Sequence, residues 1–252
     1  MHRFFVPPEW IDGKKVVMRG RQVHQLRDVL RLSDGDRIAV LDNSGREYQV
    51  ELQKVERGYA HGVVTAVSTA AEPRTAITLY QALLKANRFE FTVQKCTELG
   101  VARFVPMMCQ RCVVRGPDAV SERRLERWRT IVVEAAEQSG RGRLPMLEPA
   151  VTFEEACQSA VGFSLLPWEG EAALGLRAAL QAEIQRSNGA LAVNLFIGPE
   201  GGFDPSEVEF ARSCGIVPVT LGSRVLRAET AGLVAASAIL YECGDLDPPR
   251  SD

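Results

Sequence analysis

The chain has 252 residues, 46% of them hydrophobic, enough to fill one large or two modest cores. No apolar run reaches the ~20 residues of a membrane-spanning helix, and Met1-His-Arg-Phe-Phe-Val6 lacks the layout of a secretory signal, so the expected location is the cytoplasm, with the six scattered cysteines reduced. A net charge of −2 excludes a protein that is basic overall, but residues 85–143 carry 12 Lys and Arg against 7 Asp and Glu, and residues 144–252 carry 6 against 15, a local basic zone of the kind that can meet nucleic acid.

Residues 1–70 read as a small β-rich domain. Val23, Leu26 and Leu30 share one face of a short helix, and Ser33-Asp-Gly-Asp36 is a turn. Ile38 to Leu41 is a strand and Asp42-Asn-Ser-Gly45 a hairpin loop. Tyr48, Val50 and Leu52 alternate with Glu47, Gln49 and Glu51, as in a strand with one wet face, and Gly62 to Val67 is another strand. Short strands with frequent turns predict a small barrel. Ala71-Glu-Pro-Arg74 has the composition of a linker, so two domains are expected, 1–72 and 73–252.

In the second, Ile77 to Leu84 reads as a buried strand, Phe89 to Gly100 as a helix closed by its glycine, and Phe104 to Met107 as the next strand. Strand–helix–strand implies an α/β domain with a parallel sheet. Lys85 and Arg88 fall just past a strand's carboxyl end, where such sheets bind ligands. Cys109-Gln-Arg-Cys112 is a C-x-x-C without a second ligand pair, and it does not open a helix, so neither a metal nor a redox centre is expected there. Arg123 to Gln138 is a long helix with Leu125, Trp128, Val132, Ala135 and Ala136 on one face; Arg123, Arg124, Arg127 and Arg129 read as its solvated side. It runs into Ser139-Gly-Arg-Gly-Arg-Leu-Pro145, a flexible basic loop that suits either RNA-backbone contact or plain solvent exposure. Glu154 to Ser159 reads as a short helix, Phe163 to Glu169 as a strand running into a turn, and Gly170 to Ser187 as an Ala/Leu-rich helix.

Residues 190–243 are the most informative. Two apolar runs, Ala190 to Ile197 and Ile216 to Leu221, each turn sharply and enter a helix, at Asp204 and at about Glu229. Gly198, Gly201 and Gly202 leave the first turn with little side-chain obstruction and with access to positive φ, which suits close approach to a ligand; Gly201→Val is therefore expected to abolish binding. The turn matches neither a dinucleotide fingerprint nor a P-loop. Asp204, Pro205 and Glu207 form a capping box that already satisfies the helix start, and with Glu200 they make an acidic mouth, poor for a pyrophosphate and acceptable for a cation. The last helix, Thr230 to Tyr241, is apolar almost all round and must be buried on more than one face. Ala231, Gly232, Ala235, Ala236 and Ala238 are small enough to admit another helix, from this chain or from a second copy.

Phe196-Ile-Gly-Pro-Glu-Gly-Gly-Phe203 followed by Leu221-Gly-Ser-Arg-Val-Leu-Arg-Ala-Glu-Thr-Ala231 resembles the RsmE family, SPOUT-class methyltransferases that convert a uridine of 16S ribosomal RNA to 3-methyluridine with S-adenosylmethionine. Arg3-Phe-Phe-Val6 and Leu26 to Leu32 are similar to the family's PUA-like RNA-binding domain, and Thr97-Glu-Leu-Gly100 to the end of one of its helices. The resemblance implies a PUA-like β-barrel ahead of a parallel-sheet SPOUT domain with a trefoil knot. It implies a cofactor on loops 166–169, 197–202 and 221–227, held mostly through backbone groups, with contacts at Leu166, Pro167 and Trp168; at Ile197, Gly198, Pro199, Glu200, Gly201 and Gly202; and at Leu221, Gly222, Val225 and Leu226. It implies RNA contacts at Arg3, Lys85, Arg88, Arg111 and Arg141, with 16S ribosomal RNA or the small ribosomal subunit as partner. It also implies a homodimer, which Ala235→Arg or Ala236→Arg is expected to dissociate.

Methyl transfer from a sulfonium asks the enzyme to align the reactants and exclude water. Uracil N3 must lose a proton, so Glu229 as acceptor and Arg227 as holder of a uracil oxygen or a phosphate are the candidate catalytic residues. N3 lies on the Watson–Crick edge, so the target has to be unpaired or extruded. Two rivals stand beside this reading: a ribose 2′-O methyltransferase of the same fold, and a non-catalytic RNA-binding or ribosome-assembly protein.

Overall fold

The computed structural model describes residues 1–114, 120–187 and 190–248; Arg115 of the basic zone and the last four residues of the second expected domain lie outside them. The chain divides into two compact units, residues 1–72 with 133–144, and residues 73–132 with 145–252. The expected division into 1–72 and 73–252 is corrected in one segment. Residues 133–144 belong to the first unit, where Ala136, Val133 and Leu144 pack with Phe5 and Leu41.

The first unit holds β1 (His2–Phe5), β2 (Ile11–Asp12), β3 (Lys15–Arg19), α1 (Gly20–His24), β4 (Arg37–Leu41), β5 (Arg46–Val55) and β6 (Tyr59–Thr69). The strands form one sheet in the order β1-β4-β5-β6-β3-β2, antiparallel except where β1 runs parallel to β4. Its core is the predicted alternation made real. Tyr48, Val50 and Leu52 are buried with Phe4, Met18, Ile38 and Val40. The short helix is α1 continued by a π-helical turn, Gln25–Val29, which keeps Val23 and Leu26 inside.

The second unit holds β7 (Ala76–Ala82), α2 (Arg88–Leu99), β8 (Arg103–Met108), α3 (Glu122–Ser139, whose last part from Val133 belongs to the first unit), β9 (Met146–Leu147), β10 (Val151–Thr152), α4 (Phe153–Ser159), β11 (Ser164–Pro167), α5 (Leu176–Arg186), β12 (Ala192–Ile197), α6 (Pro205–Ser213), β13 (Val217–Val219) and α7 (Ala228–Glu242). The sheet is parallel throughout, in the order β10-β8-β7-β12-β11-β13, with β9 beside β8. Tyr80 stacks on Phe196 at 4.3 Å between centroids, and Phe153 packs edge-on to Phe196 and against Phe203. Such ring pairs add about 0.5–1.5 kcal/mol each beyond the area they bury. Gly100 ends α2 at φ 109, a left-handed cap.

The predicted helix 170–187 begins six residues late. Glu171 Oε1 accepts the N–H groups of Ala173 at 2.8 Å and Leu174 at 3.3 Å. Leu174 and Leu176 then exchange backbone hydrogen bonds with Thr220, at 2.8 and 3.1 Å, holding the chain extended up to Gly175. No helix among the described residues is long and apolar enough to cross a membrane.

The C-terminal helix uses its small residues within the chain. Ala235 and Ala236 are fully buried, and a Cβ on Gly232 would stand 3.1 Å from Gln81 Oε1. Arginine at Ala235 or Ala236 would therefore break the core before it tested any dimer, which corrects that expectation.

Candidate active site

Because β11 lies between β12 and β13 and all three are parallel, the loops leaving their carboxyl ends emerge side by side. They line one cleft of about 910 Å³ with Arg88 and the first turn of α7. Of the residues expected to touch a cofactor, Pro167, Trp168, Ile197, Gly198, Pro199, Glu200, Gly201, Gly202, Leu221, Gly222, Val225 and Leu226 all border this cleft. Leu166 does not: it is fully buried in β11. Glu169, Ser223 and Arg224, inside the expected loops 166–169 and 221–227, border it too, whereas Glu171 and Thr220 border it without having been expected. The only signal available for them was adjacency to the three turns.

The glycine loop is shaped by close approach. Gly202 sits at φ 68, and a Cβ there would collide with the Glu169 carboxylate. Gly198 and Gly201 do not have positive φ, so the left-handed backbone expected of Gly201 is corrected; its constraint is the Arg111 side chain, 3.1 Å from where a Cβ would stand. Asp204 caps α6, accepting from Ser206 N at 3.0 Å, and the Glu207 carboxylate accepts from Asp204 N at 2.9 Å. Hydrogen bonds from the Ser206 side chain and backbone hold the Asp204 carboxyl below its ordinary range. The helix start is already satisfied and carries negative charge, as the sequence predicted.

Glu229 stands in the first turn of α7, and Arg227 is its exposed N-cap. Glu229 Oε1 faces Arg88 Nε at 3.7 Å, so its ionic partner is Arg88 and not its neighbour Arg227. Glu229 Oε2 is buried and makes no hydrogen bond among the described residues. Arg88 Nη1 also donates to Glu200 Oε1 at 3.3 Å, and Lys85 N donates to the same oxygen at 3.0 Å.

The residues expected on RNA belong to both units. Arg111 Nη1 donates to the Gly201 carbonyl at 3.2 Å and Nη2 to Asp204 Oδ2 at 3.0 Å, so it grips the glycine loop. Lys85 is exposed. In the first unit Arg3 pairs with Glu47 at 3.1 Å. Arg141 is only 6% exposed and meets Glu72 at 2.8 Å, so the expectation of an RNA-facing cation there is corrected: Glu72 also takes the N–H of Gly142 at 2.9 Å and of Arg143 at 3.1 Å, folding the loop inward. Cys109 and Cys112 are both buried. A hydrogen bond between their thiols holds Cys109 well above, and Cys112 below, the ordinary thiol value. Among the described residues no group of three or more His, Cys, Asp or Glu is arranged to hold a metal ion.

Residues 71–240 match the RNA methyltransferase domain family and residues 19–65 the RNA methyltransferase PUA domain. A ribosomal RNA small subunit methyltransferase E of Synechocystis is 37% identical, over 94% of this chain and 77% of that one. Its namesake in Bacillus subtilis is 32% identical, over 96% and 97%. Among solved structures, a ribosomal RNA small subunit methyltransferase E from Neisseria gonorrhoeae bound to S-adenosyl methionine is 31% identical with a TM-score of 0.83, covering 96% of this chain and 97% of that one. A Legionella pneumophila protein in complex with the bound cofactor SAM is 27% identical with a TM-score of 0.83, over 95% and 96%. By its matched domains, and by identity that runs almost end to end, this chain belongs to the ribosomal RNA small subunit methyltransferase E family of RNA methyltransferases.

Proposed function

We propose that this enzyme methylates N3 of a specific uridine in 16S ribosomal RNA with S-adenosylmethionine. The observation that carries the reading is the convergence of three strand-end loops on one cleft that also contains Glu229. Its volume of about 910 Å³ suits a ligand of the cofactor's size. Gly198, Gly201 and Gly202 border the cleft, and the carboxylates of Glu169, Glu171 and Glu200 there suit the cofactor's ammonium and sulfonium charges. When bound, the cofactor supplies a methyl group already activated as an electrophile.

The chain's own residues supply position and proton acceptance. Loops 167–168, 197–202 and 221–226 would hold the cofactor. Glu229, in the lining of the cleft, accepts the N3 proton, directly or through water. Arg227, exposed at the rim, holds a uracil oxygen or a phosphate. Arg3 and Lys85 contribute to RNA binding, with the first unit as a PUA-like RNA-binding domain and the second as the SPOUT domain. The order β12-β11-β13, followed by the return of α7 onto β12 and α2, supports a knotted path. The working form is a cytoplasmic homodimer built on the α7 face that carries Val234 and Tyr241, 39% and 70% exposed.

Mass spectrometry of nucleosides from 16S RNA incubated with enzyme and S-adenosylmethionine tests the reading. 3-Methyluridine is the expected product. A ribose-methylated nucleoside would replace the reading with 2′-O transfer, and no cofactor binding by calorimetry would replace it with a non-catalytic role.

A further inference from the structure

We propose that Arg88 is a positioning residue that fastens the glycine loop to the Glu229 carboxylate, and not a contact to the RNA backbone. The inference rests on the reading of the cleft as the S-adenosylmethionine site.

One guanidinium is shared by two carboxylates from different parts of that cleft. Glu200 belongs to the glycine loop and Glu229 to the first turn of α7. Arg88, at the start of α2, donates from Nη1 to Glu200 Oε1 at 3.3 Å, and its Nε lies 3.7 Å from Glu229 Oε1. The backbone N–H of Lys85 donates to the same Glu200 oxygen at 3.0 Å, so Glu200 is tied twice to the segment between β7 and α2.

Three physical points follow. First, the guanidinium is planar with its donors in a fixed fork, so it sets the separation of the two carboxylates as a lysine ammonium does not. Second, Glu200 and Glu229 both line the cleft; without the intervening cation two like charges would face one another. Third, Glu229 is oriented through Oε1 while Oε2 is buried and makes no hydrogen bond among the described residues. A proton acceptor has to be held in a fixed direction, and Arg88 is the cation that holds this one.

The same geometry argues against an RNA role. Arg88 is 44% exposed along its side chain, yet Nη1 and Nε are turned to Glu200 and Glu229. Two carboxylates around one guanidinium offset its charge, so its pull on a phosphate is weaker than the sequence position suggested. Arg111 completes the bracing from the other side, on the Gly201 carbonyl and Asp204.

The test uses the full chain with Arg88→Ala and Arg88→Lys, each checked for parent-like circular dichroism. Calorimetry should show S-adenosylmethionine binding weakened about tenfold in Arg88→Ala, and steady-state kinetics a kcat about a hundredfold lower. Arg88→Lys keeps the charge and should recover less than half of either loss on a logarithmic scale. In the Arg88→Ala background, Glu229→Gln should cost less than it does in the parent, because the carboxylate is no longer aimed. The salt dependence of binding to a transcribed 16S RNA fragment should keep the parent slope. A slope reduced by about one, with cofactor affinity and kcat at parent values, would overturn the inference and return Arg88 to the RNA surface. Failure of the parent itself to bind S-adenosylmethionine would instead remove the cleft reading, and this inference with it.

Discussion

The buried carboxylate of Glu207 accepts from the backbone N–H of Gln110 at 2.8 Å and of Asp204 at 2.9 Å, so one side chain closes the α6 cap and ties the loop after β8 to the glycine loop. Glu207→Ala strands both donors. It should cost roughly 2–4 kcal/mol in urea unfolding and weaken S-adenosylmethionine binding. Glu207→Gln, which keeps an acceptor, should lose less than half as much. Equal losses in the two variants would show that the hydrogen bonds do not matter.

Gly202 and Gly201 should respond differently to alanine. Gly202 is left-handed and its Cβ would meet Glu169, so Gly202→Ala should weaken cofactor binding at least about tenfold. Gly201→Ala needs only a few tenths of an ångström from the Arg111 side chain and should do less. Calorimetry that ranks the two in the opposite order would contradict this account of the loop.

Glu229→Gln keeps the shape of the side chain and removes its basicity. Turnover of methyl transfer should fall roughly 10²–10⁴-fold, while cofactor affinity stays within about threefold of the parent. A variant with parent-like turnover would exclude Glu229 as the proton acceptor.

Glu137 makes the first unit sensitive to pH. Burial pushes its carboxyl up from 4.5 to about 6, against the lowering effect of the hydrogen bond from Phe5 N at 2.9 Å. The folded state thus favours the neutral form. Below the unfolded value both states are protonated and the group costs nothing. As pH rises through the folded value the unfolded chain releases the proton more easily, and up to about 2 kcal/mol of stability is lost, less whatever solvent screens. Glu137→Gln should remove this loss, so its advantage in urea midpoint over the parent should be larger at pH 7.5 than at pH 5. An advantage independent of pH would assign it to packing.

The dimer is tested at the exposed face of α7. Val234→Arg and Tyr241→Arg sit on 39% and 70% exposed positions, so they should dissociate the homodimer without unfolding the chain. Sedimentation at micromolar concentration should show the parent at twice the chain mass and both variants at 27.7 kDa. A parent already at 27.7 kDa with full activity would remove the dimer as a requirement.

What could be read from the sequence followed from local rules. Apolar runs bounded by Gly and Pro located β7, β8, β11 and β12 and implied their parallel pairing, and Asp204 and Glu207 announced their own cap. Strands with no alternation to display, such as β2 and β3, and the late start of α5 were not legible. The second depends on Thr220, 45 residues beyond Gly175, to which the chain pairs. The partners of the arginines were hidden for a related reason. Position past a strand end reveals a cation at the functional edge, but whether it meets RNA or a carboxylate depends on Glu72, Glu200 and Asp204, which lie far away in sequence from Arg141, Arg88 and Arg111.

The strand order β12-β11-β13 also bears on when the site comes into being. Its walls come from residues near 167, 200 and 225, and β12 is held in place by β7, more than a hundred residues earlier in the chain. Such long-range pairing is slow to form, and a chain emerging from synthesis possesses most of its sheet before residue 229 exists to complete the cleft. A ligand of this cleft therefore stabilises only the finished domain, by mass action, and its binding reports the last step of folding and not the accumulation of secondary structure.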